Sequence, residues 1–215
     1  MKIRIDRRQW LAALAALALC GPTLDAHAAP PTLLVLGDSL SAEYGLKRDS
    51  GWVRLLGDRL ARNGAQYSVV NASISGDTTS GGRTRLGPLL ERHRPSIVII
   101  ELGANDGLRG LPLAQMRENL RGMVQASQKS GARVLLVGMR VPPNYGREYS
   151  ERFAAVYADL AKTEKVGLVP FFFEGFAESM EFFQGDRIHP NESAQQRMLE
   201  LVWPQLQPLL ARNGG

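Results

Sequence analysis

The sequence predicts an α/β protein built on a parallel sheet with helices on both faces. Three observations carry this expectation. Short apolar runs alternate with amphipathic segments, the order that places a right-handed crossover helix between successive parallel strands. Two runs, Ser96-Ile97-Val98-Ile99-Ile100 and Val134-Leu135-Leu136-Val137, lack polar alternation, as strands buried on both faces do. Gly, Asp, Asn and Pro gather just after the apolar runs, where a parallel sheet presents its ligand-binding edge.

Strands are expected at residues 33–36, 67–71, 97–102, 134–137 and 166–169. Helices are expected at 52–62, 83–92, 113–130, 148–162 and 192–210. The 113–130 segment carries Met116, Leu120, Met123 and Val124 on one helical face, a core stripe. No internal repeat, low-complexity tract or linker divides the chain, so residues 29–215 are expected to form a single domain.

Residues 1–28 have the pattern of a cleaved secretory signal. Lys2, Arg4, Arg7 and Arg8 form a basic n-region, residues 10–20 are apolar, and Ala26-His27-Ala28 is a small-x-small cleavage site. The eleven apolar residues rise roughly 16 Å as a helix, too short for a hydrocarbon core of about 30 Å. Asp6-Arg7-Arg8-Gln9-Trp10-Leu11 also resembles a twin-arginine signal, so either the Sec or the twin-arginine route would export the protein, to the periplasm or beyond. Cys20 follows Leu19, where a lipoprotein anchor wants a small residue.

Cleavage would leave 187 residues, enough for one domain with a full core. It removes four of 26 basic and two of 21 acidic residues, leaving a formal charge of +3, which implies no nucleic-acid surface. Arg83, Arg85, Arg92 and Arg94 flank a helix and read as a solvated face. Without Cys20 the chain has no cysteine, which excludes disulfides, thiolate catalysis and Cys-based metal sites. No metal or cofactor is called for.

Gly37-Asp38-Ser39-Leu40-Ser41 follows the first apolar run, so Ser39 stands in a tight turn at a strand end. A serine hydroxyl is a weak nucleophile until a base takes its proton. His27 leaves with the signal, and His93 lies between Arg92 and Arg94 at a helix end, a surface position. His189 remains, in Gly185-Asp186-Arg187-Ile188-His189-Pro190-Asn191, where the start of the last helix closes the turn. Asp186, three residues earlier, is spaced to accept the imidazole Nδ1–H and fix the tautomer. Acyl transfer also needs oxyanion donors. The N–H groups of Ser39 and Gly76 and the Asn105 amide fall in segments that leave the same sheet edge.

Gly-Asp-Ser-Leu-Ser, Ser75-Gly76-Asp77-Thr78-Thr79, Gly103-Ala104-Asn105-Asp106-Gly107 and the late Asp186-x-x-His189-Pro190 resemble, in order and spacing, the four blocks of the SGNH (GDSL) hydrolases. The likeness runs through most of the chain after residue 28. It extends to Val70-Asn71-Ala72-Ser73, Glu101-Leu102-Gly103, Pro143-Asn144-Tyr145-Gly146 and Val169-Pro170-Phe171-Phe172. The resemblance implies a three-layer α/β/α sandwich of flavodoxin type, with five strands in the order 2-1-3-4-5. It implies Ser39 as nucleophile, His189 as base, Asp186 as its orienter, and an oxyanion hole from Ser39, Gly76 and Asn105. It implies a mobile substrate-binding loop at Gly107, Leu108, Arg109, Gly110, Leu111 and Pro112, with the two glycines as hinges and Leu108 and Leu111 lining an acyl groove. It also suggests a monomer, with transient contact to lipid or a membrane surface.

Two positions depart from the family pattern. Ala104 stands where relatives often have a second glycine, and Arg187 stands where they commonly have glycine, free to compete for Asp186 or to attract an anionic headgroup. The expected function is hydrolysis of small-molecule acyl esters and thioesters, including acyl-CoA, lysophospholipid and aryl esters, through an acyl-enzyme on Ser39. The alternatives are a carbohydrate O-acetyl esterase, which uses the same blocks, and a non-catalytic binding module of the same fold.

Overall fold

A computed structural model describes residues 29–210. The expected signal segment, residues 1–28, and residues 211–215 lie outside the described part. Five parallel strands form one sheet in the order β2-β1-β3-β4-β5: β1 (Thr32–Gly37), β2 (Ser68–Asn71), β3 (Ile97–Glu101), β4 (Arg133–Val137) and β5 (Gly167–Val169). The central strands β1, β3 and β4 are buried almost throughout, whereas the edge strands β2 and β5 are only partly covered. This is the physical content of their sequences, since strands packed on both faces need apolar residues at every position.

The principal helices are α1 (Trp52–Arg62), α2 (Thr79–His93), α3 (Ala104–Leu108), α4 (Leu113–Lys129), α5 (Arg147–Glu164) and α6 (Glu192–Leu206). α1 packs against α6, and α4 packs between α2 and α5, giving helix layers on both faces of the sheet. Met116, Leu120, Met123 and Val124 of α4 are buried, as their spacing predicts. No helix among the described residues is long and apolar enough to cross a membrane.

The element boundaries differ from the sequence reading where polar local chemistry sets them. α2 begins four residues early because Thr78 is its N-cap, its side chain accepting the Gly81 N–H. α6 begins after Pro190, with Asn191 as cap: its Oδ1 accepts the Ser193 N–H at 3.0 Å. It passes into a 3-10 turn at Gln207–Leu209, where Pro208 has no N–H to continue the helix. α3 reads as a turn in the sequence, since five residues of composition Ala-Asn-Asp-Gly-Leu show no helical period.

One charge reading is corrected at a single residue. Arg83, Arg92 and Arg94 are exposed, as a solvated face requires, whereas Arg85 is partly covered. The Arg85 guanidinium donates to Asp77 Oδ2 at 2.6 and 3.0 Å and to the Ala72 carbonyl at 2.6 Å, while Arg83 donates to Asn119. Arg85 turns inward because the polar loop after β2 offers acceptors that solvent would otherwise have to satisfy.

Candidate active site

Ser39 lies two residues past the end of β1, in a turn that closes through the Asp38 carbonyl accepting from the Ser41 and Ala42 N–H groups. The Asp38 carboxylate tightens the turn by accepting the Leu40 N–H at 3.0 Å. His189, 150 residues away, sets Nε2 2.9 Å from Ser39 Oγ. Its Nδ1 lies 2.6 Å from Asp186 Oδ2. The other Asp186 oxygen accepts the N–H groups of Ile188 and His189 at 2.9 and 3.0 Å. One carboxylate thus folds the turn and orients the ring. Partial burial raises the Asp186 pKa, but these donors outweigh it and hold the group at about 2.

Arg187 adopts φ 59°, the left-handed region that suits glycine, so the turn holds its backbone in a conformation costly for a side-chain-bearing residue. Its side chain does not compete for Asp186: among the described residues Asp186 is ion-paired only with His189. The Ser39 and His189 loops are tied together. Gln184 Nε2 donates to the Tyr44 and Pro190 carbonyls, the Lys47 N–H to Glu192, and the Tyr44 ring lies 4.5 Å from the imidazole.

The Ser39 and Gly76 N–H groups have no acceptor among the described residues. The Asn105 amide donates one hydrogen to Asp38 Oδ2 at 3.0 Å, which fixes its orientation and leaves the second. The loop carrying Asn105 is anchored to α2 by Asp106, which accepts the Thr79 N–H and hydroxyl at 2.9 and 2.5 Å.

Residues 107–112 depart from the expected hinge at one end. Gly107 is buried in α3, and a Cβ there would meet Phe153 Cε2 at 2.5 Å and Val141 Cγ1 at 2.7 Å, so it serves close packing. Gly110, with φ +63° and open space around it, retains the freedom expected of both glycines. The Tyr149 and Tyr145 hydroxyls donate to the Gly107 and Leu108 carbonyls at 3.2 and 2.8 Å. Leu108 is half-buried, and Leu111, Ile74 and Tyr145 expose apolar surface on loops at the same sheet edge.

Sequence reasoning missed the buried acids beneath Ser39. Glu101, fully buried at the end of β3, accepts the Ser41 hydroxyl at 2.7 Å and the Asp38 N–H at 3.3 Å, and Trp52 Nε1 donates to the same Ser41 oxygen. Burial, then the neighbouring Asp38 charge, push the Glu101 pKa well up. Burial likewise raises Asp38 to about 6, against the hydrogen bonds from Leu40 and Asn105. The only local hint was a glutamate ending an otherwise apolar strand. Among the described residues no group of three His, Cys, Asp or Glu side chains is placed to hold a metal ion.

Residues 35–197 match the GDSL-like lipase/acylhydrolase family. The chain is 54% identical over 187 residues to Esterase TesA of Pseudomonas aeruginosa, covering 87% of this chain and 93% of the relative. It is 46% identical over 183 residues to the Escherichia coli protein named Thioesterase 1/protease 1/lysophospholipase L1, covering 85% of this chain and 86% of the relative. A crystal structure of TesA superposes with a TM-score of 0.82 at 55% identity, over 83% of this chain and 99% of that one. With this fold and these matches, the chain belongs to the GDSL-like lipase/acylhydrolase family and is a carboxylic ester hydrolase.

Proposed function

We propose that the protein hydrolyses acyl esters and thioesters, among them acyl-CoA, lysophospholipid and aryl esters, through an acyl-enzyme on Ser39. The observation that carries this is the unbroken hydrogen-bonded line from Ser39 Oγ through His189 to Asp186. His189 Nε2 takes the hydroxyl proton as Oγ attacks the carbonyl carbon. Asp186, ionised through the working range, holds Nδ1–H and stabilises the imidazolium. The oxyanion takes hydrogen bonds from the Ser39 and Gly76 N–H groups and the second Asn105 amide hydrogen. The tetrahedral adduct collapses as His189 returns the proton to the leaving alcohol or thiol. Water, deprotonated by His189, then releases the acid and restores Ser39.

The apolar surface of Ile74, Leu108, Leu111 and Tyr145 favours an acyl chain over a carbohydrate O-acetyl group. We further read residues 29–215 as a single domain exported by the signal at residues 1–28, acting on small molecules and touching lipid transiently. A fluorophosphonate probe should label Ser39 and lose that label in Ser39→Ala. A scan of p-nitrophenyl esters and acyl thioesters should then show rates rising beyond acetyl. An optimum at acetyl would favour the O-acetyl esterase, and an intact protein that never labels would favour the binding module.

A further inference from the structure

We propose that Arg109 is a positioning residue for hydrolysis: its guanidinium holds the Gly76 carbonyl and thereby the peptide turn that carries the Gly76 N–H. The inference rests on reading Gly76 as an oxyanion donor. Arg109 Nη2 donates to the Gly76 oxygen at 2.9 Å. That oxygen has no other donor among the described residues, and Arg109 forms no ion pair there.

Gly76 sits in a tight turn closed by the Asp77 N–H on the Ile74 carbonyl at 3.1 Å, with φ +78°. In such a turn the Gly76 N–H stands outside the closing bond, and nothing intrinsic to glycine fixes its direction. On the C-terminal side Arg85 grips Asp77. The Gly76 carbonyl shares its peptide plane with the Asp77 N–H of the closing bond, and Arg109, which belongs to a different loop, adds the second restraint on that plane.

Arg109 is fixed in turn to the loop that carries Asn105. Its N–H donates to the Asn105 carbonyl at 3.1 Å, and the tyrosine hydroxyls on Gly107 and Leu108 hold the segment before it. One guanidinium therefore spans two loops whose donors must reach a single oxygen. A charge-assisted bond to a carbonyl is stronger than a neutral one, and its rigidity keeps the donor aimed before charge develops. Its loss should weaken transition-state binding more than substrate binding.

The test compares Arg109→Ala and Arg109→Lys with wild type, with rates normalised to the fluorophosphonate-labelled fraction. Substrates are p-nitrophenyl acetate, p-nitrophenyl octanoate and octanoyl-CoA. Arg109→Ala should lower kcat on all three by about ten- to a hundredfold, below the loss expected for deleting a donor outright, with KM within about threefold. It should weaken inhibition by an alkylboronic acid, whose serine adduct carries the tetrahedral oxyanion, by a similar factor. Arg109→Lys should recover most of both. Unchanged kcat and boronate affinity would overturn the proposal, leaving a surface contact. A raised KM confined to octanoyl-CoA would also overturn it, making Arg109 a binder of substrate phosphate. Failure of wild type to label at Ser39 or turn over any ester would instead remove the acyl-enzyme reading, and this inference with it.

Discussion

Asp38→Asn should make the protein more stable and much less active. Asp38 is fully buried beneath Ser39, and burial lifts its pKa from 3.8 to about 6. The folded protein therefore binds a proton that the unfolded chain has already lost between about pH 4 and pH 6. Stability falls as pH rises through that window, and above it the native state carries a cost of about 3 kcal/mol, roughly two pKa units at 1.36 kcal/mol each. Asparagine removes that cost. The gain over wild type should be under about 1 kcal/mol at pH 4 and approach about 3 kcal/mol at pH 8, a rise in Tm of roughly 6 to 12 °C. The catalytic consequence runs the other way. Asp38 accepts from Leu40 through one oxygen and from Asn105 through the other, and an amide can replace only one of them. If the oxygen of the substituted amide stays on Leu40, the Asn105 amide must flip. That puts an acceptor where an oxyanion donor stood and costs about a hundredfold or more in kcat. Chemical denaturation from pH 4 to pH 8 and ester hydrolysis at pH 8 measure the two effects. A gain independent of pH, or full activity, would refute the reasoning.

Asp186→Asn should lower kcat by about 10⁴-fold by releasing the imidazole tautomer, measured with p-nitrophenyl esters. Folding depresses the Asp186 pKa, so its stabilisation is present above about pH 4 and lost as pH falls towards 2. An acid limb of activity above pH 5 should therefore persist in wild type without being assignable to this group. Arg187→Gly should remove the left-handed strain, partly offset by the greater freedom of glycine in the unfolded chain, and raise stability by about 0.5 to 1 kcal/mol in thermal melts. Gly107→Ala should destabilise the protein by about 1 to 3 kcal/mol, because the new methyl group meets Phe153 and Val141, and calorimetry should show it.

How much was legible in advance follows from how local each signal was. β1, β3 and β4 were readable because each holds four consecutive apolar residues, and α4 because its buried face repeats at helical spacing. Ser39 and His189 stood out because histidine is scarce and a Gly-Asp-Ser turn follows an apolar strand. α3 escaped because five residues hold too little period. The mistaken hinge at Gly107 shows that glycine is ambiguous in one dimension: the same residue serves freedom at 110 and close approach at 107.

Periodicity sufficed for the strands and the long helices, turn chemistry and elimination among few candidates for the pairing of serine, histidine and aspartate, and resemblance to known blocks for the family. What surrounds those residues was settled only by the folded chain. Glu101 reaches Asp38 and Ser41 across some sixty residues, Tyr145 and Tyr149 pin the carbonyls of the 107–110 segment, and Arg109 crosses to Gly76. The pKa of a buried acid and the direction of an amide depend on dielectric surroundings and on partners far along the chain. No local pattern encodes either until the sheet has brought its loops to one edge.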